Sequence, residues 1–351
     1  MKILFFINKL YGGGAERVSS ILMNHLCENH ETTAVVFDDK EISYQINSSI
    51  FVHKISVNNK SRIARFINRI VKIRKEIKKN SPDIIISFLT PTNIYVLTAS
   101  LFLKKRIIIS ERSTLNRTQS ILVRLIRKLI YPMANKIVFV TKTDCQNFGL
   151  PHKSITIYNP ATLEPFDDYT NRQKAIITIA SNERWYIKGL DLLIKAWAKI
   201  APMNPIWTLE ICGKIRNTKL PDGISHLNQE RVKWTGWTDD IANELRTKSI
   251  FALASRFEGC PNSLIEAMSQ GCACVVTDCD CGPKEIITNN VDGLIAKSGN
   301  VDDIAAKMQM LIDDENMRHR LSVKAIAKTK IFDKNTFYAQ WDNLISETMA
   351  E

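Results

Sequence analysis

The stretch at positions 249–268 limits the possible folds more than any other part of the chain. It begins with an apolar run at 249–254, passes through a loop that contains Gly259, and continues in an apolar helical pattern that stops at Gly271. A strand, a glycine-containing loop and a helix start leave backbone N–H groups that point at one spot, with the positive end of the helix dipole behind them. Such a spot suits a phosphate group. We therefore expect an α/β sheet with an anion-binding loop.

Two carboxylates, Glu258 and Glu266, flank this loop. Glu258 follows the apolar strand directly, where an ionised side chain is costly unless it binds something. Glu266 has two interpretations, because Ser263-x-x-Glu266 before an apolar run is also the pattern of a capping box. Glu258 thus predicts a ligand contact, whereas Glu266 predicts either a ligand contact or a helix cap.

A similar pattern opens the chain. Residues 2–8 form a continuous apolar run, typical of a strand buried on both faces of a parallel sheet. Gly12, Gly13 and Gly14 follow, and then a helical pattern, so this loop is a second candidate for phosphate binding. A dinucleotide site is the alternative, but Arg17 stands where that fingerprint has its third glycine.

Further apolar runs predict more buried strands, at 33–37, 83–89, 106–110, 136–141, 175–180, 208–212 and 232–234. Ligands of doubly wound sheets bind at the carboxyl ends of the strands, so the polar loops that follow are candidates. Two such residues are Asn93 and Arg112. Arg112 suits an acceptor phosphate through a bidentate grip, although a surface ion pair with Glu111 explains it equally well.

Charge is distributed unevenly along the 351 residues. Residues 1–160 hold 25 Lys and Arg against 10 Asp and Glu, whereas the rest hold 23 against 26, which gives the net charge of +12. The first half is therefore expected to meet an anionic surface. The longest apolar stretch, 94–103, falls well short of the roughly 20 residues of a membrane span. Eight cysteines without a signal peptide indicate reduced cytosolic thiols.

Two segments in this half are both basic and amphipathic. Residues 60–79 carry nine Lys and Arg against one acid, Glu76, with apolar residues at helical spacing. Residues 120–131 show the same combination. A core-packed helix with a solvated basic face explains either one alone. Two together favour peripheral contact with an anionic membrane surface.

A zinc site is the alternative use of the paired cysteines, Cys272-x-Cys274 and Cys279-x-Cys281. Their spacing differs from the usual Cys-x2-Cys ribbons, and the first pair borders a buried strand, where cysteine acts as a small apolar residue. Asp278-x-Asp280 is not well placed for a metal either. We therefore expect metal-independent chemistry without a cofactor.

The segment around Glu258 and Glu266 resembles the signature of glycosyltransferase family 4, in which two Glu are separated by seven residues with Gly after the first. The sequence at 271–278, 282–287 and 292–294 fits the family as well, and the resemblance covers about residues 175–330. Lys188-Gly189 matches the family's Lys-Gly, while Arg184 is offset by one position from the family's Arg. A histidine that many relatives place near the transferred sugar is replaced here by Arg112.

The resemblance implies two facing Rossmann-like α/β domains of the GT-B type. We predict an acceptor-side domain at 1–163, a nucleotide-sugar domain at 174–333, and a helix at 334–351 that crosses back to the first domain. The linker is expected between Asn159 and Gln173.

The resemblance also implies a retaining, metal-independent transfer of a hexose or N-acetylhexosamine, from a UDP-linked donor, to a lipid-linked or lipopolysaccharide-type glycan with α-linkage. The expected setting is O-antigen or other bacterial polysaccharide synthesis at the inner face of the cell membrane, with a polyprenyl-diphosphate-linked acceptor. The catalytic residues would be Glu258, Lys188 and Arg184. The donor would contact Gly13, Gly14, Arg184, Lys188, Gly259, Cys260, Pro261, Asn262, Ser263, Leu264 and Glu266, and the acceptor would contact Gly12, Asn93 and Arg112.

Three other functions are compatible with parts of the sequence. A nucleotide-sugar epimerase of the same two-domain plan would release free sugar without an acceptor. A phosphorylase would need pyridoxal phosphate, and no lysine marks a Schiff-base site. A nucleic-acid binder would explain the charge, but the basic helices lack interleaved aromatic residues on their surface.

Overall fold

The chain folds into two compact α/β units in a computed structural model that describes residues 1–38, 40–56, 61–115, 121–214, 222–227 and 230–351. Unit 1 comprises Met1–Asn159 and Asn335–Glu351, and unit 2 comprises Pro160–Lys334. The two segments predicted to be amphipathic, 60–79 and 120–131, begin at Lys60 and Ser120, and these two residues lie outside the described residues.

Unit 1 contains a seven-stranded sheet. Its strands are β1 (Lys2–Ile7), β2 (Glu31–Val36), β3 (Phe51–Lys54), β4 (Ile84–Phe88), β5 (Arg106–Glu111), β6 (Lys136–Phe139) and β7 (Ser154–Thr156). Its first helices are α1 (Gly14–Leu26), α2 (Arg62–Asn80), α3 (Thr90–Ala99), α4 (Ile121–Ile130) and α5 (Lys142–Phe148). The strand order is β3-β2-β1-β4-β5-β6-β7, with all pairings parallel. The order reverses between β1 and β4, which makes the carboxyl ends of these two strands the switch point of the sheet.

Unit 2 repeats this plan with six strands. They are β8 (Gln173–Ile179), β9 (Thr208–Cys212), β10 (Val232–Gly236), β11 (Lys248–Leu253), β12 (Ala273–Thr277) and β13 (Leu294–Ala296). The helices are α6 (Leu190–Ile200), α7 (Asp222–Ser225), α8 (Ile241–Arg246), α9 (Asn262–Ser269), α10 (Pro283–Ile286), α11 (Val301–Asp313) and α12 (Glu315–Thr329). The order β10-β9-β8-β11-β12-β13 is again all parallel. Its switch point lies between β8 and β11.

The last helix, α13 (Lys334–Ala350), belongs to unit 1. Its buried residues Phe337, Trp341, Leu344 and Ile345 join the core on one face of the first sheet, where the Trp341 ring stacks on Phe88 with centroids 5.9 Å apart. The prediction that the final helix returns to the first domain is therefore confirmed.

The opposite face of the first sheet is covered by α2, α3 and α4. Ile73 and Ile77 of α2 and Leu97 of α3 lie in the core on this face, and Ile126 and Ile130 of α4 pack against it. Both faces of the sheet are thus covered, which explains why β1 and β4 are continuous apolar runs.

The junction between the units differs from the predicted boundaries. Residues 160–163 were assigned to the first domain and the following stretch to a linker, but both pack on unit 2. Thr162 Oγ1 donates to Glu266, the Phe166 amide donates to the Ser269 carbonyl, and Gln270 Nε2 donates to the Glu164 carbonyl. These bonds hold the stretch against α9, so it is part of unit 2 from Pro160 onward.

Candidate active site

The candidate site of unit 2 lies at its switch point. Lys188 is in the loop that follows β8, and Glu258 is in the loop that follows β11, the neighbouring strand. Although the two residues are 70 positions apart, Lys188 Nζ lies 2.7 Å from Glu258 Oε1. Their side chains are only 12% and 8% exposed. Parallel strand pairing therefore brings together two predicted catalytic groups that are 70 positions apart in sequence.

A glycine makes this approach possible. Gly189 has φ +62°, and a Cβ at this position would lie 1.9 Å from the carbonyl oxygen of Ala254 at the end of β11. An L-residue is therefore excluded both by the backbone conformation and by the contact. The pair Lys188-Gly189 consequently serves two purposes: the lysine supplies charge, and the glycine lets its loop pack directly on the neighbouring strand end.

Glu258 is held as a carboxylate. Burial by itself raises the pKa of Glu258, but the nearby charges of Lys188 and Arg184 and a hydrogen bond from Ser255 outweigh it, so the pKa is lower than usual. The Ser255 hydroxyl donates to Glu258 Oε1 at 2.8 Å, and the Thr277 hydroxyl in turn donates to the Ser255 carbonyl at 2.6 Å. An ionised acceptor of hydrogen bonds thus stands beside the anion-binding loop.

Arg184 is exposed and lies within electrostatic reach of Glu258. It occupies the short 3-10 helix Asn182–Arg184, and the Lys188 amide donates to its carbonyl. Two cations, one half-buried and one exposed, are therefore placed by a single loop. This is the charge that a diphosphate leaving group requires.

The N-terminus of α9 supplies the backbone part of the site. Pro261 is the N-cap, and no side chain caps the helix, so Ser263 and Glu266 do not form a capping box. The Leu264 amide donates to the Pro261 carbonyl, and the Leu264 side chain is fully buried. Leu264 therefore packs in the core and offers no free N–H to a ligand. The buried hydroxyl of Ser263 has no partner within the described residues. The end of this helix therefore remains suited to an anion.

Glu266 is buried on α9 and accepts a hydrogen bond from Thr162 Oγ1 at 2.8 Å. Of the two interpretations of this residue, the structure does not support the helix cap, because no side chain caps α9. The bond to Thr162 ties the first residues of unit 2 to α9. A contact of Glu266 with a polar ligand stays a prediction.

The loop with Gly259, Cys260 and Pro261 is supported by a second glycine loop. A Cβ on Gly282 would lie 1.6 Å from the Gly259 carbonyl oxygen, so the loop that follows β12 packs closely under the anion-binding loop. Gly259 and Cys260 themselves are half-buried. The predicted donor-binding residues of unit 2 thus share one edge of its sheet, whereas Gly13 and Gly14 belong to unit 1.

The cysteines of this region are thiols packed in the core. Burial raises the pKa of Cys272 to about 11 and that of Cys279 to about 12. The described residues contain no group of three or more His, Cys, Asp or Glu side chains that could hold a metal ion. The zinc alternative is therefore not supported.

The corresponding edge of unit 1 carries the loop with Gly12, Gly13 and Gly14. Gly12 has φ +67°. The Gly13 amide donates to the Tyr44 hydroxyl at 2.9 Å, and a Cβ on Gly13 would overlap the carboxylate of Glu16. The Gly13 N–H is thus already used within unit 1. Gly13 serves here to let the Glu16 side chain lie across the loop.

Arg112 follows β5 at the same edge. Its guanidinium lies 4.4 Å from the centre of the Phe88 ring, and its Nη1 donates to Asn159 Oδ1 at 2.7 Å. Glu111 points into the unit and is fully buried, where it accepts hydrogen bonds from Thr90 and Tyr131 and lies 3.8 Å from Arg127. A surface ion pair between Glu111 and Arg112 is therefore not what this structure forms.

Asn93 does not lie in a polar loop at the end of a strand, as the sequence predicted. It is fully buried in α3, and its Nδ2 donates to the Ser110 carbonyl at 3.0 Å. The structure therefore gives no support for a direct contact with an acceptor. Its role is to join α3 to β5 beneath the loop that presents Arg112.

Sequence reasoning missed three polar residues of these sites. Ser255 and Thr162 bond directly to Glu258 and Glu266, and Tyr131 bonds to the buried Glu111. Ser255 precedes the first glutamate by three residues and could have been noticed. Thr162 is 104 positions from its partner, and nothing local marks it.

Two doubly wound parallel domains are the fold of known glycosyltransferases. The solved structure of Alr3699/HepE from Anabaena, in complex with UDP and glucose, superimposes with a TM-score of 0.82 at 18% identity, over 99% of this chain and 100% of that one. The WaaB lipopolysaccharide outer core galactosyltransferase superimposes with a TM-score of 0.76 at 21% identity, over 99% of both chains. These similarities show the fold.

Family models identify the chain. "Glycosyltransferase Family 4" matches residues 12–164, and "Glycosyl transferases group 1" matches residues 164–328. Together the two models cover residues 12–328. The chain therefore belongs to the glycosyltransferases that carry these two domains, and it is an enzyme.

A curated relative from Campylobacter jejuni is 26% identical over 99% of both chains. It is named GalNAc-alpha-(1->4)-GalNAc-alpha-(1->3)-diNAcBac-PP-undecaprenol alpha-1,4-N-acetyl-D-galactosaminyltransferase. A second protein of that organism, N-acetylgalactosamine-N,N'-diacetylbacillosaminyl-diphospho-undecaprenol 4-alpha-N-acetylgalactosaminyltransferase, is 29% identical over 95% of this chain and 96% of its own.

Proposed function

We propose that the protein is a retaining glycosyltransferase that moves an N-acetylhexosamine from a UDP-linked donor to a polyprenyl-diphosphate-linked glycan and forms an α-linkage. The observation that carries this proposal is the Lys188–Glu258 pair, whose side chains are 12% and 8% exposed, beside the N-terminus of α9, which no side chain caps. The names of the two Campylobacter relatives support the acceptor class and the α-linkage. UDP in the Anabaena structure supports the nucleotide.

Lys188, Arg184 and the amides at the start of α9 bind the donor diphosphate. As the bond to the sugar breaks, negative charge builds up on the leaving phosphate, and fixed positive groups at that point lower the barrier. Lys188 is already oriented by its 2.7 Å contact with Glu258. When the diphosphate binds, Lys188 contacts a phosphate oxygen in addition to Glu258 or in place of it. The expected reaction needs no metal ion, and full turnover after treatment with a chelator tests this.

Glu258 binds the hydroxyls of the transferred sugar, and Glu266 binds the hydroxyls of the nucleotide ribose. A hydrogen bond to a charged group contributes about 1.5–3 kcal/mol. Glu266→Ala is therefore expected mainly to weaken donor binding, whereas Glu258→Ala is expected mainly to lower turnover. Wild-type rates and affinities in both variants would contradict these roles.

Transfer occurs with retention of configuration. The acceptor hydroxyl attacks on the face from which the diphosphate departs, and a leaving phosphate oxygen accepts its proton. The proton and the sugar thus exchange partners without a separate protein base. NMR of the product decides this point, because the anomeric coupling constant distinguishes an α-linkage from a β-linkage.

Gly12 and Arg112 of unit 1 contact the acceptor. The Arg112 guanidinium is held by Phe88 and Asn159 at the carboxyl end of β5, and a planar cation there suits a phosphate. Arg112→Lys would keep the charge and lose the planar fork. Its KM for the acceptor is expected to rise about tenfold with the KM for the donor unchanged.

A lipid-linked acceptor places the enzyme at the cytoplasmic membrane surface. Within the described residues, no helix combines the length and the apolar composition needed to cross a bilayer. The excess of Lys and Arg in residues 1–160 supports peripheral attachment to anionic lipid.

The proposal is tested in two steps. A thermal-shift panel of UDP-, GDP- and ADP-sugars identifies the nucleotide, because a ligand that binds only the folded state raises its stability. Transfer is then measured from the best donor to a polyprenyl-diphosphate-linked N-acetylhexosamine. Stabilisation by UDP-sugars together with a lipid-linked product is expected. Free sugar released at the full rate without acceptor would favour an epimerase instead.

A further inference from the structure

Helix α4 buries a charged residue and exposes several apolar ones. Its buried residue is Arg127, 3% exposed, which points inward toward Glu111. Ile126 and Ile130 pack against the core. Four other large apolar residues point outward: Ile121 at 77%, Leu122 at 65%, Leu125 at 54% and Leu129 at 77% exposure.

The first half of α2 shows the same arrangement. Its exposed large apolar side chains are Ile63, Phe66, Ile67 and Val71. Core contacts come from Ile70, Ile73 and Ile77. The core-packed interpretation of the two basic helices accounts for these residues and for Ile126 and Ile130 of α4. It does not account for the exposed apolar residues.

The two sets of exposed apolar residues belong to one side of unit 1. Helix α3 contacts both α2 and α4, and all three helices cover the same face of the sheet. In a parallel sheet each helix starts near the carboxyl end of the strand before it. The starts of α2 and α4 therefore lie toward the edge that carries Arg112. We call these eight residues the apolar patch.

The exposed charges on α2, α3 and α4 all have one sign. Exposed cations on the same helices include Arg65, Lys72, Arg124 and Lys128. In α2, α3 and α4 the acidic residue is Glu76, which is buried and paired with His53 at 2.8 Å. This combination of exposed apolar and basic side chains without exposed acids matches an anionic lipid surface.

We propose that the apolar patch inserts into the acyl boundary of the membrane, with the surrounding Lys and Arg at the lipid phosphates. The inference rests on the proposed function, and it adds a hydrophobic component to the electrostatic attachment. Insertion beside the edge with Arg112 brings that residue to the depth at which a polyprenyl diphosphate presents its phosphates. The enzyme thereby meets its acceptor without extracting it from the bilayer.

A second protein surface is a weaker explanation for the apolar patch. Protein interfaces are depleted in Lys, because its flexible, strongly hydrated charge is costly to cover. Here Lys72 and Lys128 lie on the same helices as the apolar side chains. A lipid surface satisfies both groups at once, since long cationic side chains reach the phosphates while apolar ones enter the acyl region.

The test is flotation with vesicles of equal parts phosphatidylglycerol and phosphatidylcholine, in low salt and in about 1 M NaCl, where charges are screened within about 3 Å. The variant is Ile67→Ser with Leu125→Ser. Ile206→Ser is the matched control, since Ile206 is 64% exposed on unit 2. All three substitutions are on the surface, so folding should be retained.

Insertion predicts that wild-type protein keeps part of its vesicle binding in high salt. The double variant should then lose roughly tenfold per side chain, about 100-fold in all, while the control binds as wild type. Equal binding of the double variant would overturn the proposal. So would a wild-type dimer in solution that the double variant abolishes, because the patch would then bind a second copy.

Activity assays separate this inference from the proposed function. Transfer to a short-chain, water-soluble acceptor should be equal in the wild type and the double variant, and transfer to a vesicle-bound acceptor should fall in the variant alone. If the wild type transfers to neither acceptor, the proposed function fails. The vesicle binding then still decides whether the apolar patch inserts.

Discussion

Replacement of Glu258 by Gln should move nucleotide binding and turnover in opposite directions. In the ligand-free enzyme, Lys188 donates to the Glu258 carboxylate across 2.7 Å. The same lysine is proposed to bind the donor diphosphate, so the carboxylate competes with the ligand for it. Gln keeps the size of the side chain and removes the competing charge.

The magnitude follows from the strength of this contact. The carboxylate forms an ion pair with Lys188, whereas the Gln amide can offer the ammonium only its carbonyl dipole, so the substitution weakens the hold on Lys188 by about 1–2 kcal/mol. UDP should then bind about 5- to 30-fold more tightly. Turnover should fall about 10- to 100-fold, because the amide replaces the charged contact to the transferred sugar.

Calorimetric titration with UDP and initial rates of UDP release with the lipid-linked acceptor measure the two effects. Glu210→Gln is the matched control, because Glu210 forms a similarly buried pair with Lys248 at 2.9 Å, at the amino end of β11. This control should lose stability without a change in UDP affinity or turnover. The reasoning is refuted if Glu258→Gln weakens UDP binding as much as Lys188→Met does.

Four further outcomes are expected. The pKa of Glu258 is lowered in the folded state. The contribution of this carboxylate to stability is therefore present above the ordinary Glu pKa near 4.3 and is lost as pH falls through the lowered pKa. In denaturant titrations, the free energies of unfolding of wild type and Glu258→Gln should differ by a constant amount between about pH 6 and 8 and converge below about pH 4. Gly189→Ala should abolish UDP binding in calorimetry, because its Cβ would lie 1.9 Å from a carbonyl oxygen. Ser255→Ala removes a 2.8 Å bond to the same carboxylate, and kcat should fall about 5-fold with KM for the donor unchanged. Thr162→Val removes the bond to Glu266 and should raise KM for the donor about 5-fold with kcat unchanged.

The parts of the fold that the sequence predicted well are those with strong local patterns. The strands at the centre of both sheets, such as β1 and β11, are continuous apolar runs because helices cover both faces of the sheet. The short edge strand β3 was missed, since only four residues pair and Phe51 is exposed. The family resemblance assigned Lys188 and Glu258 to one donor site, but their direct contact was not predicted, because no local pattern predicts contact across 70 positions.

Side-chain direction was less predictable than element type. Helical spacing shows that residues share a face, but it does not show which way that face points. In α4 the face with Arg127 turned out to be the inner one, because Glu111 lies buried beneath it. Asn93 was placed in a loop by its polar neighbours, whereas tertiary contacts extend α3 to include it. In both cases the deciding partner lies in another strand or helix.

The position of α13 has a consequence for synthesis on the ribosome. Residues 1–159 are translated before unit 2, yet the helix whose Trp341 stacks on Phe88 is translated only after unit 2. Until then, a large apolar area on one face of the nascent sheet stays open to water or to a chaperone. A polypeptide that ends after position 334 would therefore contain all of unit 2, while unit 1 would lack the helix that covers one face of its sheet.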